Sequence, residues 1–283
     1  MTGDRKCPVC GGAWKPSRIR GLLECRGCGF VTAEISLTRP ELERLYGTPY
    51  FSGEEYRDYV AERALFTRQF QLRLKTLLRY VPAARRQHLF EIGAAYGFFL
   101  DLARRHFEHV SGIDLSREAA AYAREVVGVP VAGGDFLEYP LENPLDAVCM
   151  WDTIEHLDHP ELYVEKAAAH LRPEGVLAIT TGDIGSPLAR WRKEKWRQIH
   201  PPSHLQYFSK RTLQLLLAKY GFELCYTGYA GSYRSADTIA YILLSLKRGK
   251  SGLYRKLKAT GLLRWSFYSN VFDILYVIAK KTK

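Results

Sequence analysis

Nowhere does this sequence run apolar for the roughly 18 positions that a membrane-spanning helix needs. Its two most apolar stretches, 238–246 and 271–279, stop far short of that. Residues 1–6 are polar and lack the apolar core of a secretory leader. Low-complexity tracts and internal repeats are missing, and the 47% apolar and 25% charged fractions exclude a disordered or fibrous chain. At 283 residues the expectation is a cytoplasmic protein with one full α/β domain and something small beside it. Acids are scarce near the C-terminal end. Over 230–283 only Asp237 and Asp273 oppose eleven Lys and Arg, so +9 of the net +11 lies there. That excess suits phosphates on a nucleotide-linked substrate, on anionic lipid or on nucleic acid. A merely solvated face is the plain alternative.

Six cysteines are present, and four form two pairs, Cys7 with Cys10 and Cys25 with Cys28. Each pair sits in a C-x2-C-G turn, where glycine takes the tight backbone and two thiolates point at one metal. In a reducing compartment this spacing favours metal over disulfides. The fourteen residues between the pairs suffice for a short hairpin. A closed four-thiolate zinc ribbon over 1–36 is expected, structural because no coordination position stays open. Cys149 and Cys225 lie inside apolar runs and read as small core residues.

Residues 37–86 read as a helical bridge: a polar, aromatic-dotted stretch, then helical spacing of apolar residues from 54 to 81, stopped by Pro82. From 88 onward short apolar runs at 89–92, 110–113, 129–132, 145–150 and 176–180 alternate with helical segments at 98–106, 117–127 and 161–171. That order implies a parallel sheet covered by helices on both faces. A helix at 211–220 and strands at 222–226 and 272–279 follow, separated by a long excursion over about 229–270.

Chemistry-bearing residues gather where these strands end. The first strand runs into Glu91-Ile92-Gly93-Ala94-Ala95-Tyr96-Gly97, a glycine turn that lets backbone approach a ligand at the sheet's carboxyl edge. It is not G-x-G-x-x-G, which disfavours a nicotinamide dehydrogenase. The second strand ends at Asp114, placed to accept ribose hydroxyls, and the third leads into Gly133-Gly134-Asp135-Phe136. Capping alone explains some of these features, since Asp114 and Ser116 can start a helix. Four in order, each at a strand end, are harder to produce that way.

Residues 89–221 resemble the class I S-adenosylmethionine-dependent methyltransferases, in particular the branch of the ubiquinone-pathway O-methyltransferases. The E/D-x-G-x-G-x-G motif of that family matches at Glu91, Gly93 and Gly97, with Ala95 in place of its middle glycine. The four-cysteine start, Leu45-Tyr46 with Tyr50-Phe51, and the run from His200 to Ser209 are similar to one bacterial subgroup. The resemblance implies a Rossmann-like, seven-stranded, mostly parallel sheet with an antiparallel last strand, occupying 87–283. It also implies S-adenosylmethionine as cofactor, bound by Glu91, Gly93, Ala95 and Gly97. Asp114 would lie on the ribose, Asp135 and Phe136 would frame adenine, and Trp151 and Asp152 would face the sulfonium.

Two runs pose the catalytic question, Asp152-Thr153-Ile154-Glu155-His156 and His200-Pro201-Pro202-Ser203-His204. Three readings stand. His156 or His204 serves as a general base, with Glu155 beside it; Asp152, Glu155, His156 and a later histidine hold a metal; or Glu155 and His156 merely begin a helix. Positioning alone can suffice for methyl transfer. The basic 234–264 region is read as a lid, a homodimer face or a surface lying on an anionic membrane, against a plain helical hairpin completing the core. The functional expectation is O-methylation of a small-molecule acceptor: a glycan, nucleotide-sugar or lipid-linked metabolite. The alternatives are a 2′-O RNA methyltransferase and a non-catalytic scaffold. Nucleobase chemistry is disfavoured because Trp151-Asp152-Thr153 is not an Asn/Asp-Pro-Pro-aromatic run.

Overall fold

The computed structural model describes residues 6–35, 38, 41, 45, 59–246 and 248–282. The expectations for Tyr46, Tyr50 and Phe51, and for the opening turns of the bridge helix, lie outside the described residues. Strands β1 (Trp14–Pro16), β2 (Leu22–Cys25) and β3 (Val31–Ala33) form an antiparallel meander that carries the four cysteines at its turns. The helix Arg63–Leu77 follows, burying Phe70, Arg73, Leu74 and Leu77 on one stripe.

The main sheet is assembled from β4 (His88–Ile92), β5 (His109–Asp114), β6 (Val131–Gly133), β7 (Leu145–Trp151), β8 (Leu171–Gly182), β10 (Phe222–Tyr229) and β13 (Ile274–Lys281). Its spatial order is β10-β13-β8-β7-β4-β5-β6. The pairs from β6 through β8 are parallel, and β13 is antiparallel to both its neighbours. This is the seven-stranded Rossmann-like sheet that the sequence pattern implied. Order reverses between β4 and β7, so the crevice at a topological switch point opens beside the end of β4. Residues 171–175 open β8, with a register shift opposite Leu145 and Ala147.

Alternation along the strands sorts the core into two layers. Leu89, Ala147, Cys149 and Ala178 meet Phe70, Leu74, Leu77 and Phe99 on one face. Phe90, Met150, Leu177 and Ile179 meet Leu213, Leu216 and Leu217 of the helix Lys210–Lys219 on the other. Gly97, at φ 74°, starts the helix Phe98–Ala103, and a Cβ there would come within 2.5 Å of the Val129 side chain. Only glycine fits this turn.

Two features differ from expectation. Cys225 is exposed, not in the core: on the edge strand β10 it falls in phase with exposed Glu223, at a bulge between Leu224 and Tyr226. The excursion does contain helical segments, Ala236–Ala240 and Ser251–Ala259, but a short ladder of β11 (Ser232–Ser235) and β12 (Ser266–Ser269) closes its base.

The cysteine-bearing meander is continuous with the rest. Strand β9 (Gln206–Tyr207), from the loop after β8, pairs antiparallel with β3, making a four-stranded sheet. Phe30 is fully buried with its ring centroid 4.9 Å from that of Phe208, in the same apolar layer as Phe90 and Leu217. Phe30→Ala should therefore cost about 3–5 kcal/mol and lower the denaturation midpoint of the whole molecule in one transition. A separate, earlier melting of the meander with an unchanged main transition would contradict the shared core.

Candidate functional site

The carboxyl edge of the main sheet collects acids around a strained turn. Gly93 and Ala94 N–H groups donate to the Ile113 carbonyl at 2.9 and 3.0 Å, lashing the β4 turn to β5. Asp114 completes the tie, accepting from Ala95 N–H at 2.7 Å and from Ser116 N–H at 2.8 Å. Ala95 holds φ 44°, a left-handed conformation that costs a residue with a Cβ roughly 1 kcal/mol. Burial pushes the Asp114 carboxyl up to about 6, against the pull of those two N–H donors. Glu91, 2% exposed, is driven well above the usual carboxylate range by burial and by Asp114, with Arg73 opposing. Its Oε2 is buried with no hydrogen-bond partner. An orphaned acceptor among like charges is a place where a cationic or donor-bearing ligand gains most.

At the third strand end, Asp135 Oδ1 accepts from the Leu137 N–H at 2.9 Å and the Tyr163 hydroxyl at 2.7 Å. Lys166 donates to the carbonyls of Phe136, Leu137 and Tyr139, fixing the turn. Phe136 is 2% exposed, its ring packed between Phe90 and Tyr163. The turn thus presents a carboxylate and main chain, and the ring expected to meet a ligand is part of the core.

Trp151 is buried against Phe99 and Tyr276, and its indole N–H has no partner. Asp152 sits at φ 52°, a strained position at a strand end. Its carboxylate pairs with Arg73 at 2.7 Å and accepts from the Thr180 hydroxyl at 3.0 Å. Arg73, 4% exposed, also lies 5.6 Å from the Trp151 ring. It was not singled out in the sequence. The signal was there, since position 73 falls on the apolar stripe of Phe66, Phe70, Leu74 and Leu77. Such engagement withdraws Asp152 from the oxygen/nitrogen metal set considered above.

The remaining members do converge. Glu155, His156 and His204 bring one oxygen and two ring nitrogens within 4.8 Å of one another. His156 Nδ1 lies 2.7 Å from the Ser203 carbonyl and His204 Nδ1 3.0 Å from that of Gln198. A carbonyl only accepts, so Nδ1 of each ring carries a proton. Burial lowers His156 to about 4, although the Ser203 carbonyl favours its charged form. Burial, then the neighbouring His156 and His200, lowers His204 well below the ordinary histidine range. Glu155 is raised to about 8 by burial and then by Asp152. His156 is half-buried, while Glu155 and His204 are buried, so His156 is the member turned toward solvent.

Away from this edge, Cys7 and Cys28 sulfurs are 3.6 Å apart, and those of Cys10 and Cys25 3.4 Å. All four lie within 4.8 Å of one another. A disulfide would need about 2.05 Å, whereas a tetrahedron with metal–sulfur bonds of about 2.3 Å has edges of roughly 3.8 Å. A Cβ on Gly12 would stand 3.0 Å from the Cys25 sulfur, so the cradle is shaped for thiolates around one ion.

The methyltransferase domain family matches residues 59–227, more than half of the chain. No curated protein matches in sequence. Among solved structures, an S-adenosylmethionine-dependent methyltransferase of Thermotoga maritima is 22% identical, with a TM-score of 0.52 over 81% of this chain and 95% of that one. The complex of the Haloferax volcanii Trm112 methyltransferase activator with a methyltransferase contains a chain 15% identical, TM-score 0.55, over 88% of this chain and all of that one. A geranyl diphosphate methyltransferase, solved with GPP and sinefungin, is 16% identical, TM-score 0.52, over 75% and 78%. At these identities the likeness is one of fold.

A pH prediction follows from the histidines. Because His204 resists protonation when folded, the unfolded chain takes up its proton first as pH falls through about 6.5. The stability it contributes is thus present above that value and lost below it. His204→Asn, which keeps a donor for the Gln198 carbonyl, should be less stable than the wild type at pH 8, with the gap narrowing toward pH 5 in paired urea titrations. A gap independent of pH would contradict a buried neutral imidazole.

Proposed function

Since the chain belongs to the methyltransferase domain family and is an S-adenosylmethionine-dependent methyltransferase, we propose that its carboxyl-edge crevice transfers the methyl group to an oxygen of a small-molecule acceptor. The observation that carries this reading is the pair of raised carboxyls at one turn, Asp114 tied across β4 and β5 and Glu91 orphaned beside it. Each Asp114 oxygen already takes one backbone N–H and keeps a second lone pair, which suits two vicinal ribose hydroxyls. The Gly93–Gly97 turn, with Ala95 at its bend, would hold the methionine moiety, and the Glu91 carboxyl would meet its ammonium. Asp135 and the main chain at Phe136 suit the adenine edge; Trp151 and Asp152, held by Arg73, would wall the sulfonium side. Bound there, S-adenosylmethionine supplies a methyl group already activated by its positive sulfur.

The acceptor would then enter past His156. With its Nδ1 held against the Ser203 carbonyl, this imidazole stays neutral across the physiological range and would wall the acceptor side of the crevice. Its low basicity favours positioning over proton abstraction. Glu155, raised to about 8, keeps its own proton at neutral pH, so the acceptor's proton would pass to solvent once the oxygen is methylated. Nearby, burial and then Arg197 lower Arg234. Arg197 pairs with the buried Asp273 at 2.7 Å, so the two cations there exceed their one acid by a single charge, which favours an acceptor with an anionic group such as a nucleotide-sugar or lipid-linked phosphate. The four cysteines would hold a structural zinc, which fits their spacing.

Calorimetric titration of S-adenosylmethionine and S-adenosylhomocysteine tests the reading. Asp114→Ala should weaken both by roughly 100-fold or more, the worth of two hydrogen bonds to a charged group. Wild-type affinity should be flat above pH 6 and fall below it, because the hydroxyls need the ionised carboxylate. Unchanged affinity in the variant would remove Asp114 from the site, and no binding to the wild type would overturn the proposal.

A further inference from the structure

The excursion between β10 and β13 leaves large apolar side chains in solvent. Leu262 is 65% exposed, Trp265 58%, Phe272 60%, Leu253 46% and Phe267 37%. Four of these five fall within eleven consecutive residues, 262–272. Trp265 and Phe267 are two apart along β12 and its approach, so they share a side, and their ring centroids are 5.4 Å apart. Phe272 carries φ 55°, a backbone region that bulky residues avoid, and in that conformation its ring is held outward. Scattered single exposed residues are ordinary, but this many within one short stretch of chain, two of them in ring contact, mark a contact surface.

The charges around that set point to its partner. Across 234–264 eight Lys and Arg meet one acid, Asp237, and Asp237 is itself engaged by Lys258 at 3.2 Å and by the Tyr254 hydroxyl at 2.9 Å. In the helix Ser251–Ala259 only Tyr254 is turned fully inward, packing on Tyr241. Its other side shows Leu253 together with Arg255 and Lys256, all exposed. Arg248, Lys250 and Arg264 flank the same segment and are exposed too. Tryptophan and leucine set in a cationic rim make an amphipathic interfacial surface, apolar enough to enter the acyl boundary and charged to meet anionic headgroups. A second copy of this chain would bring eight more cations against these eight, which opposes self-association through this face. Among the described residues no helix is long and apolar enough to cross a membrane, so the attachment is peripheral.

We propose that the 248–272 segment is a docking surface for an anionic lipid bilayer, with Leu262, Trp265, Phe267 and Phe272 inserting and the surrounding Lys and Arg meeting headgroup phosphates. The segment is built on β11 and β12, which spring from the rim that carries Arg234, so docking would set the crevice mouth at the lipid surface. The inference stands on exposure and charge alone and does not need the methyl-transfer reading.

Vesicle co-sedimentation of the full chain tests it, with phosphatidylcholine vesicles alone and with vesicles containing phosphatidylglycerol. The wild type should pellet with the anionic vesicles, increasingly so as salt is lowered, and remain in the supernatant with the neutral ones. Leu262→Asp combined with Trp265→Ala, and separately Arg255→Glu combined with Lys256→Glu, should each weaken binding at least about tenfold. All four side chains are exposed, so thermal midpoints and S-adenosylmethionine affinity should be unchanged. Wild-type protein left in the supernatant with both vesicle types would overturn the proposal. So would binding that ignores both double variants, or light scattering that shows a dimer dissolved by Leu262→Asp with Trp265→Ala.

Discussion

One main-chain residue joins the three parts of this molecule. The Leu205 carbonyl accepts from the Ala33 N–H at 2.8 Å and the Thr32 hydroxyl at 3.0 Å, and the Leu205 N–H donates to the Glu155 carbonyl at 2.9 Å. The first two bonds belong to the cysteine-bearing sheet, and the third to the turn that follows β7. Between them hangs the loop that carries His200, Ser203 and His204. Together with the Gln206 amide, which donates to the Leu157 and Asp158 carbonyls, this seam frames the His156–Ser203 bond and the contact of His156 with His204. Four cysteines more than a hundred residues away in sequence thus help set the geometry of the candidate acceptor side.

A second constraint is electrostatic. Glu91, Asp114 and Glu155 are all buried at one sheet edge, and all are raised. Arg73 is the buried cation among them, and its guanidinium is committed to Asp152. Holding acids so close without full compensation costs the folded state and keeps the edge receptive to donors and positive charge. The opposite choice is made at the histidines, where burial keeps the rings neutral and backbone carbonyls fix their tautomers. One side is therefore prepared for a cationic ligand, and the other is a neutral wall.

Much of this was legible in the residues. Alternating apolar runs declared the parallel sheet, glycines at 93 and 97 marked the turn after β4, and Asp114 followed at the end of the next strand. The cysteine spacing announced a four-thiolate cluster. What escaped the pattern has physical reasons. Strand β9 is two residues long, too short for any periodicity, and its partner lies 173 positions away, as the Thr32–Leu205 bond records. Cys225 looked like core, yet it lies on the open side of an edge strand, in phase with Glu223. Phe136 follows an acid in a turn and resembles a ligand-facing ring, yet Lys166 and Tyr163 lock that turn inward. Arg73 was hidden by its neighbours, a cation on an apolar stripe whose purpose shows only once Asp152 is seen beside it.

Hydrogen–deuterium exchange of the wild type and of Cys7→Ser combined with Cys25→Ser tests the Leu205 seam most directly. The account predicts faster exchange at the amides of Ala33, Leu205 and Tyr207, with those of β4 and β7 still protected. Unchanged protection at Leu205 in that variant would show that the histidine loop holds its place without the cysteine-bearing sheet, and would contradict the account at its centre.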